Sequence, residues 1–172
     1  VLGMLVQIKK DLTREGLAFD PALPVGAMIE VPAAALAARA LARRLDFLSI
    51  GTNDLIQYTL AIDRLDDRVN DLFDATHPAI LRLIHMTIEA GQALGTPVAM
   101  CGEMAGDPRF TRLLLGFGLR RFSMQPGALL GIKELVLDAD TRELAMHSDR
   151  LLARLDDAEP GQMLDALNQL AN

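Results

Sequence analysis

The sequence has no tryptophan, one tyrosine and one cysteine among 172 residues. A lone cysteine excludes an internal disulfide and, with it, the bridge-stapled secreted scaffolds; a reducing cytoplasm is the expected setting. No apolar run approaches the roughly 18 residues of a membrane-spanning helix, so no membrane association is expected. Positive charge is also scarce. The 17 Lys and Arg are outnumbered by 23 Asp and Glu, for a net charge of -6. That balance excludes a broad phosphate-gripping basic face, and no nucleic acid partner is expected. There is no glycine-rich GxxxxGK phosphate loop and no GxSxG nucleophile elbow. Low-complexity tracts are missing too. The opening "VLGMLVQIKKDL" runs from apolar to basic, the reverse of a signal peptide, and lacks an initiator methionine. Val1 is therefore expected to lie inside a longer natural protein.

What the sequence does have is 51% hydrophobic residues, enough for one domain with a sizeable core. Four short apolar runs stand out: "PVGAMIE" (24–30), "LDFLSIGTND" (45–54), "TPVAMCGE" (96–103) and "RRFSM" (120–124). Each is too short for a helix and nearly continuous in apolar character, as strands of a parallel sheet covered on both faces read. Helical patterns separate them. One follows Pro32 over 33–45, and one runs over 77–95 with Pro78 in its first turn and Gly95 at its end. A third spans 107–118 with Asp107 as cap, and a fourth spans 126–140. Strand alternating with helix means βαβ units, an α/β fold with a parallel sheet. Residues 1–23 read as a leading helix and loop, 24–138 as four βα units, and 139–172 as a C-terminal helical appendix.

Each run puts chemistry at or just after its C-terminal end: Glu30, then Asn53 and Asp54, then Cys101 and Glu103, then Ser123. Ligands bind at the carboxyl ends of parallel strands, in barrels and open sheets alike. Glu30 and Asp54 on neighbouring strand ends suit Mg²⁺, which takes one or two carboxylates and completes its shell with water and phosphate. A strand-end glutamate paired with a nearby arginine would read the same way. The connection over 55–76 is too long for a bare linker, and long connections at this face are usually functional. It carries Arg64 and Arg68, which suit either a phosphate or salt bridges with Asp63, Asp66 and Asp67. His77, His85 and His147 lack metal-ligand spacing and are expected to be structural. Met28, Met100, Met104 and Met124 are expected to fill core. Taken alone, Cys101 is most simply a small buried hydrophobe.

The stretches "GAMIEVPAAAL" (26–36), "FLSIGTNDLIQYTLAIDR" (47–64), "HPAILRLI" (77–84) and "VAMCGEMAGDP" (98–108) together resemble a known family. They are similar to the C-terminal half of the phosphoenolpyruvate-binding barrel of Enzyme I, the first phosphotransferase of the bacterial sugar phosphotransferase system. The resemblance covers roughly residues 24–135 and implies the last four units of a (β/α)8 TIM-type barrel plus C-terminal helices. It implies that Glu30 and Asp54 are magnesium ligands, that Asn53 and Arg64 bind the substrate phosphate, and that Cys101 protonates the enolate carbon. The implied reaction moves the phosphoryl group of phosphoenolpyruvate to a protein histidine and releases pyruvate. Glu103 becomes a candidate to orient the thiol. Pyruvate phosphate dikinase and phosphoenolpyruvate synthase share the barrel type, and a citrate-lyase-type barrel could also use a Glu and an Asp.

Four strands are half of what a TIM barrel needs. The family's phosphoacceptor histidine motif matches none of His77, His85 or His147. The resemblance thus implies a half-barrel, inactive alone, whose parent would engage a histidine phosphocarrier protein through a separate N-terminal domain. Two cut strand edges and an apolar inner face favour self-association, so a homo-oligomer is expected. The alternative of a different class is a binding or oligomerisation module without catalysis of its own.

Overall fold

The computed structural model describes residues 1–63, 66, 69, 72–156 and 159–169. Among them, strands β1 (Gly26–Ile29), β2 (Phe47–Gly51) and β3 (Val98–Cys101) form a parallel sheet in the order β1-β2-β3. The register sets Ile29 opposite Ile50, Ile50 opposite Met100, and Gly51 opposite Cys101. The fourth apolar run, expected as a full strand, pairs at one position only. Phe122 bridges Met100 in parallel, through the Met100 N–H to the Arg121 carbonyl (3.0 Å) and the Ser123 N–H to the Met100 carbonyl (2.8 Å). It is an outermost segment, and Pro126 soon turns the chain into a 3₁₀ turn over Pro126–Ala128, so the ladder stays short.

Helices α1 (Leu2–Glu15), α2 (Pro32–Leu36), α3 (Ala38–Ala42), α4 (Thr52–Leu60), α5 (Pro78–Leu94), α6 (Pro108–Gly116), α7 (Leu129–Leu137), α8 (Thr141–Ala153) and α9 (Pro160–Gln169) complete the described elements. Most of the expected helices form close to where their punctuation puts them. The Asp107 carboxylate accepts from the Arg109 N–H (2.8 Å) to cap α6, and α5 ends on Gly95 in the left-handed region. Two expectations change. The helix over 33–45 is broken at Ala37 into α2 and α3, so that the small residues Ala35, Ala38 and Ala42 are buried on the side facing α5. The connection after Asp54 is in its first part a helix, since β2 stops at Gly51 and α4 starts at once with Thr52.

The histidines have structural places. His77 caps α5, its Nδ1 accepting from the Ala79 N–H (3.2 Å). His85 lies edge-on to Phe117 with centroids 5.1 Å apart, and His147 sits 3.9 Å from Glu143. Met100 and Met104 are core; Met28 is not, being 46% exposed.

The sheet has one closed face and one open face. Ile29, Leu48, Ile50 and Met100 point into a core built with Leu55 and Ile56 of α4, Ile80, Ile84 and Ile88 of α5, and Leu113 and Leu114 of α6. The other face carries Met28, Phe47, Ser49 and Cys101 and has no helix on it among the described residues. Parallel sheets are nearly always covered on both faces, so this is a departure from the expected pattern. The flanking helices match it. No residue of α1 is buried, and on α7 Leu130 and Leu137 are 78% and 73% exposed. At the other end, α8 packs tightly on α6, because Gly116 leaves no room for a Cβ against the Leu144 carbonyl and the Ser148 hydroxyl.

Candidate active site

The open face and the carboxyl rim of the sheet meet at Gly51. Because Gly51 lies opposite Cys101 on β3 and beside Glu30 after β1, three strand ends bring their side chains to one neighbourhood. A Cβ on Gly51 would lie 3.2 Å from the Met28 sulfur and 3.4 Å from a Glu30 carboxylate oxygen. Glycine there lets the Glu30 carboxylate lie across the end of β2. The Cys101 thiol lies on the same side. Its Sγ is 3.6 Å from the Ile50 carbonyl, 3.9 Å from the Ser49 hydroxyl and 4.0 Å from the Met28 sulfur. It is half-buried, so it is neither core filler nor fully solvated.

The turn from β2 into α4 is bonded to the loop after β3. Thr52, fully buried, donates its hydroxyl hydrogen to the Cys101 carbonyl (3.1 Å). Asn53 accepts from the Glu103 N–H at its Oδ1 (3.0 Å), and its Nδ2 donates to the Glu103 carboxylate (3.4 Å). Between them Gly102 takes φ 94°, a region that favours glycine. A Cβ at Gly102 would collide with the Thr52 hydroxyl and approach the Asn53 Oδ1 to 3.0 Å. Backbone conformation and close approach therefore both require glycine directly after the thiol.

A cleft of about 740 Å³ opens over this junction, lined among others by Asn53, Cys101, Glu103, Asp107 and Ser123. Asn53 and Asp54 stand in the first turn of α4, where unpaired backbone N–H groups and the helix dipole favour negative charge. Neither Glu30 nor Asp54 lines this cleft; the Glu30 carboxylate lies against Gly51 at the end of β2. No group of three or more His, Cys, Asp or Glu side chains is placed to share an ion among the described residues. Of the two carboxylates expected at strand ends, Glu30 follows β1 directly, whereas Asp54 stands in the first turn of α4, because β2 stops at Gly51. Arg64 and Arg68, expected as phosphate or salt-bridge partners, lie outside the described residues.

Of the residues singled out from the sequence, Asn53, Cys101, Glu103 and Ser123 meet on one cleft, and Glu30 and Asp54 are not among those that line it. Glu103, expected to orient the thiol, bonds Asn53 on the neighbouring turn. Two residues were missed. Ser49 was readable from period-two alternation, because it shares a face with Cys101. Thr52 was hidden by reading "GTND" as the end of a strand rather than the start of a helix.

The first 141 residues match the family model described as PEP-utilising enzyme, PEP-binding domain. The chain belongs to that family. Relatives named phosphoenolpyruvate-protein phosphotransferase agree. The one from Cupriavidus necator is 52% identical over 170 residues, covering 99% of this chain and 28% of its own length. Those from Haemophilus influenzae and Enterococcus faecalis are 43% and 46% identical over 95% and 88% of this chain. This PEP-binding-domain chain thus spans little more than a quarter of the curated relatives it matches. No helix among its described residues is long and apolar enough to cross a membrane.

Proposed function

We propose that this chain is the part of a phosphoenolpyruvate-protein phosphotransferase that binds phosphoenolpyruvate and protonates the enolate it leaves. The observation that carries the reading is the junction of Asn53 and Cys101 on one cleft, with Glu30 against the end of β2 and Asp54 following Asn53 in α4. In this reading Asn53 and Arg64 bind the phosphate, and the first turn of α4 favours the anion. Glu30 and Asp54 fit Mg²⁺, whose chemistry when bound is to neutralise and align the transferring phosphate.

The chemistry balances with the chain's own groups. The phosphorus–oxygen bond of phosphoenolpyruvate breaks, the phosphoryl group passes to a histidine of the full-length protein, and the electron pair stays on the enol oxygen. As that oxygen becomes a carbonyl, the methylene carbon takes the Cys101 proton and pyruvate is released. The thiolate left behind is reprotonated from water. Ser49 and the Ile50 carbonyl hold the sulfur on the open face. From the histidine the phosphoryl group would go on to a histidine phosphocarrier protein, in a cytoplasmic setting.

The open face supports the barrel reading. A sheet closed on one side, with exposed apolar residues on α1 and α7, is what consecutive units of a (β/α)8 barrel look like without the rest. The remaining strands of the full-length protein would cover Met28 and Phe47 and pair the outer strands. In the full-length protein, Cys101→Ala is expected to slow phosphoenolpyruvate-dependent pyruvate release by about 10²-fold or more, the usual contribution of a placed proton donor. A rate equal to that of the unaltered protein would end this assignment.

A further inference from the structure

Helix α8 starts at Thr141, where the match to the PEP-binding family stops, and α9 lies beyond it. On α8, His147, Arg150, Leu151 and Arg154 fall on one stripe, since residues three and four apart are neighbours on a helix. Met163 and Leu167 do the same on α9. The two stripes enclose a cavity of about 370 Å³. Its apolar part is sheltered: Leu151 and Leu167 are buried, and Met163 packs against the core. Its cationic part, Arg150 and Arg154, is exposed. Two observations point to a ligand. No acid lines the cavity, in a chain with 23 acids to 17 bases. Carboxylates close by in sequence are engaged by other cations, Asp156 by Arg82 (2.7 Å) and Asp165 by Arg109 (3.1 Å), while Glu143 lies 3.9 Å from His147. Secondly, Arg150 and Arg154 are like charges at i,i+4, an unfavourable pair, and neither has a carboxylate partner among the described residues. A basic last turn suits the negative end of the helix dipole, but that accounts for the charge and not for the apolar hollow beside it.

We infer that the groove between α8 and α9 binds a small organic anion, its carboxylate held by Arg150 and Arg154 and its apolar body lying against Leu151, Met163 and Leu167. Guanidinium groups take a carboxylate through paired N–H bonds, and their exposure keeps the desolvation cost low. The cavity is at the small end of the roughly 300–1,000 Å³ of ligand pockets, which suits a compact molecule rather than a docked helix.

The test uses the full-length protein with its methionine methyl groups labelled with carbon-13, the Met163 signal being assigned through Met163→Leu. Hexanoate, hexylamine and hexanol present one alkyl chain with a negative, a positive and no charge. Hexanoate is expected to shift the Met163 signal saturably and to bind about tenfold more tightly than hexanol, with no shift from hexylamine. Arg150→Gln combined with Arg154→Gln is expected to bring hexanoate down to the level of hexanol and to leave the thermal unfolding midpoint unchanged, so that the loss is one of binding and not of fold. Added salt should weaken hexanoate several-fold and leave hexanol alone, since the arginines are exposed. Equal binding of hexanoate and hexanol, hexanoate binding that survives the double substitution, or no shift of Met163 with any of the three would overturn the inference. Saturation by an acidic peptide but not by hexanoate would overturn it too, and would make the groove a protein contact.

Discussion

The two faces of one small sheet differ more than any other pair of regions in the molecule. On one face Ile29, Leu48, Ile50 and Met100 are sealed from solvent by α4, α5 and α6. On the other, Met28 and Phe47 are 46% and 38% exposed, and the same strands end in Glu30 and Cys101. Alternation along each strand divides the labour. Odd and even neighbours in the same four or five residues serve stability on one side and chemistry on the other. The difference teaches that apolar character does not mark a finished core: Met28 and Phe47 are as apolar as Leu48, yet stay partly open to solvent where Leu48 is sealed.

That contrast can be broken by substitution. The largest effect is expected on the closed face, where Ile50→Ala should destabilise the fold by about 3 kcal/mol, read by denaturant unfolding. A loss below about 1 kcal/mol would mean that the core is not where the sheet puts it. Next comes the rim. Gly102→Ala, which combines an unfavourable φ with a collision at Thr52, should cut pyruvate release by the full-length protein about 10-fold to 100-fold. Retained activity would show that the loop after β3 tolerates movement. On the open face, Met28→Ala should cost less than about 0.5 kcal/mol in the 172-residue chain, as for an ordinary surface site. On the barrel reading, in which further strands cover this face, the same change should cost about 2 kcal/mol in the full-length protein. Equal costs in both would remove the barrel reading.

The smallest effect is far from either face. The Asp140 carboxylate accepts from the Arg142 and Glu143 N–H groups at the start of α8, and these bonds hold its pKa below the ordinary carboxylate value. A lowered folded-state pKa stabilises the fold above the unfolded value and is lost as pH falls through the folded one. Protection of the first-turn amides of α8, with exchange corrected for its intrinsic pH dependence, should therefore fall as the pH drops below about 4. Asp140→Ala should show the lower protection already at neutral pH. No change in either would mean that the cap contributes nothing.

Much of this was legible in the residues. The helix punctuation at Asp107–Pro108, Pro78 and Gly95 sets real boundaries, because caps and fixed φ values act locally. The ends of β1 and β3 were legible too, with Glu30 directly after one and Cys101 closing the other. Two things were not. Continuous apolar runs cannot reveal which face a helix covers when Met28, Phe47 and Ala99 on the open side are as apolar as the core set. The boundary at Gly51–Thr52 was hidden because β2 passes into α4 with no intervening loop. The lone cysteine is the converse case. Its residue type says filler, and only its place after β3, opposite Gly51 and beside Ser49, says otherwise.

The most direct test of the shared cleft is the rate at which a small alkylating reagent labels Cys101 in the full-length protein, followed by mass spectrometry of the peptide that contains it. Phosphoenolpyruvate with Mg²⁺ should slow labelling at least tenfold, and Glu30→Gln or Asp54→Asn should abolish the protection. Labelling at the same rate with and without phosphoenolpyruvate and Mg²⁺ would mean that thiol and carboxylates do not serve one ligand.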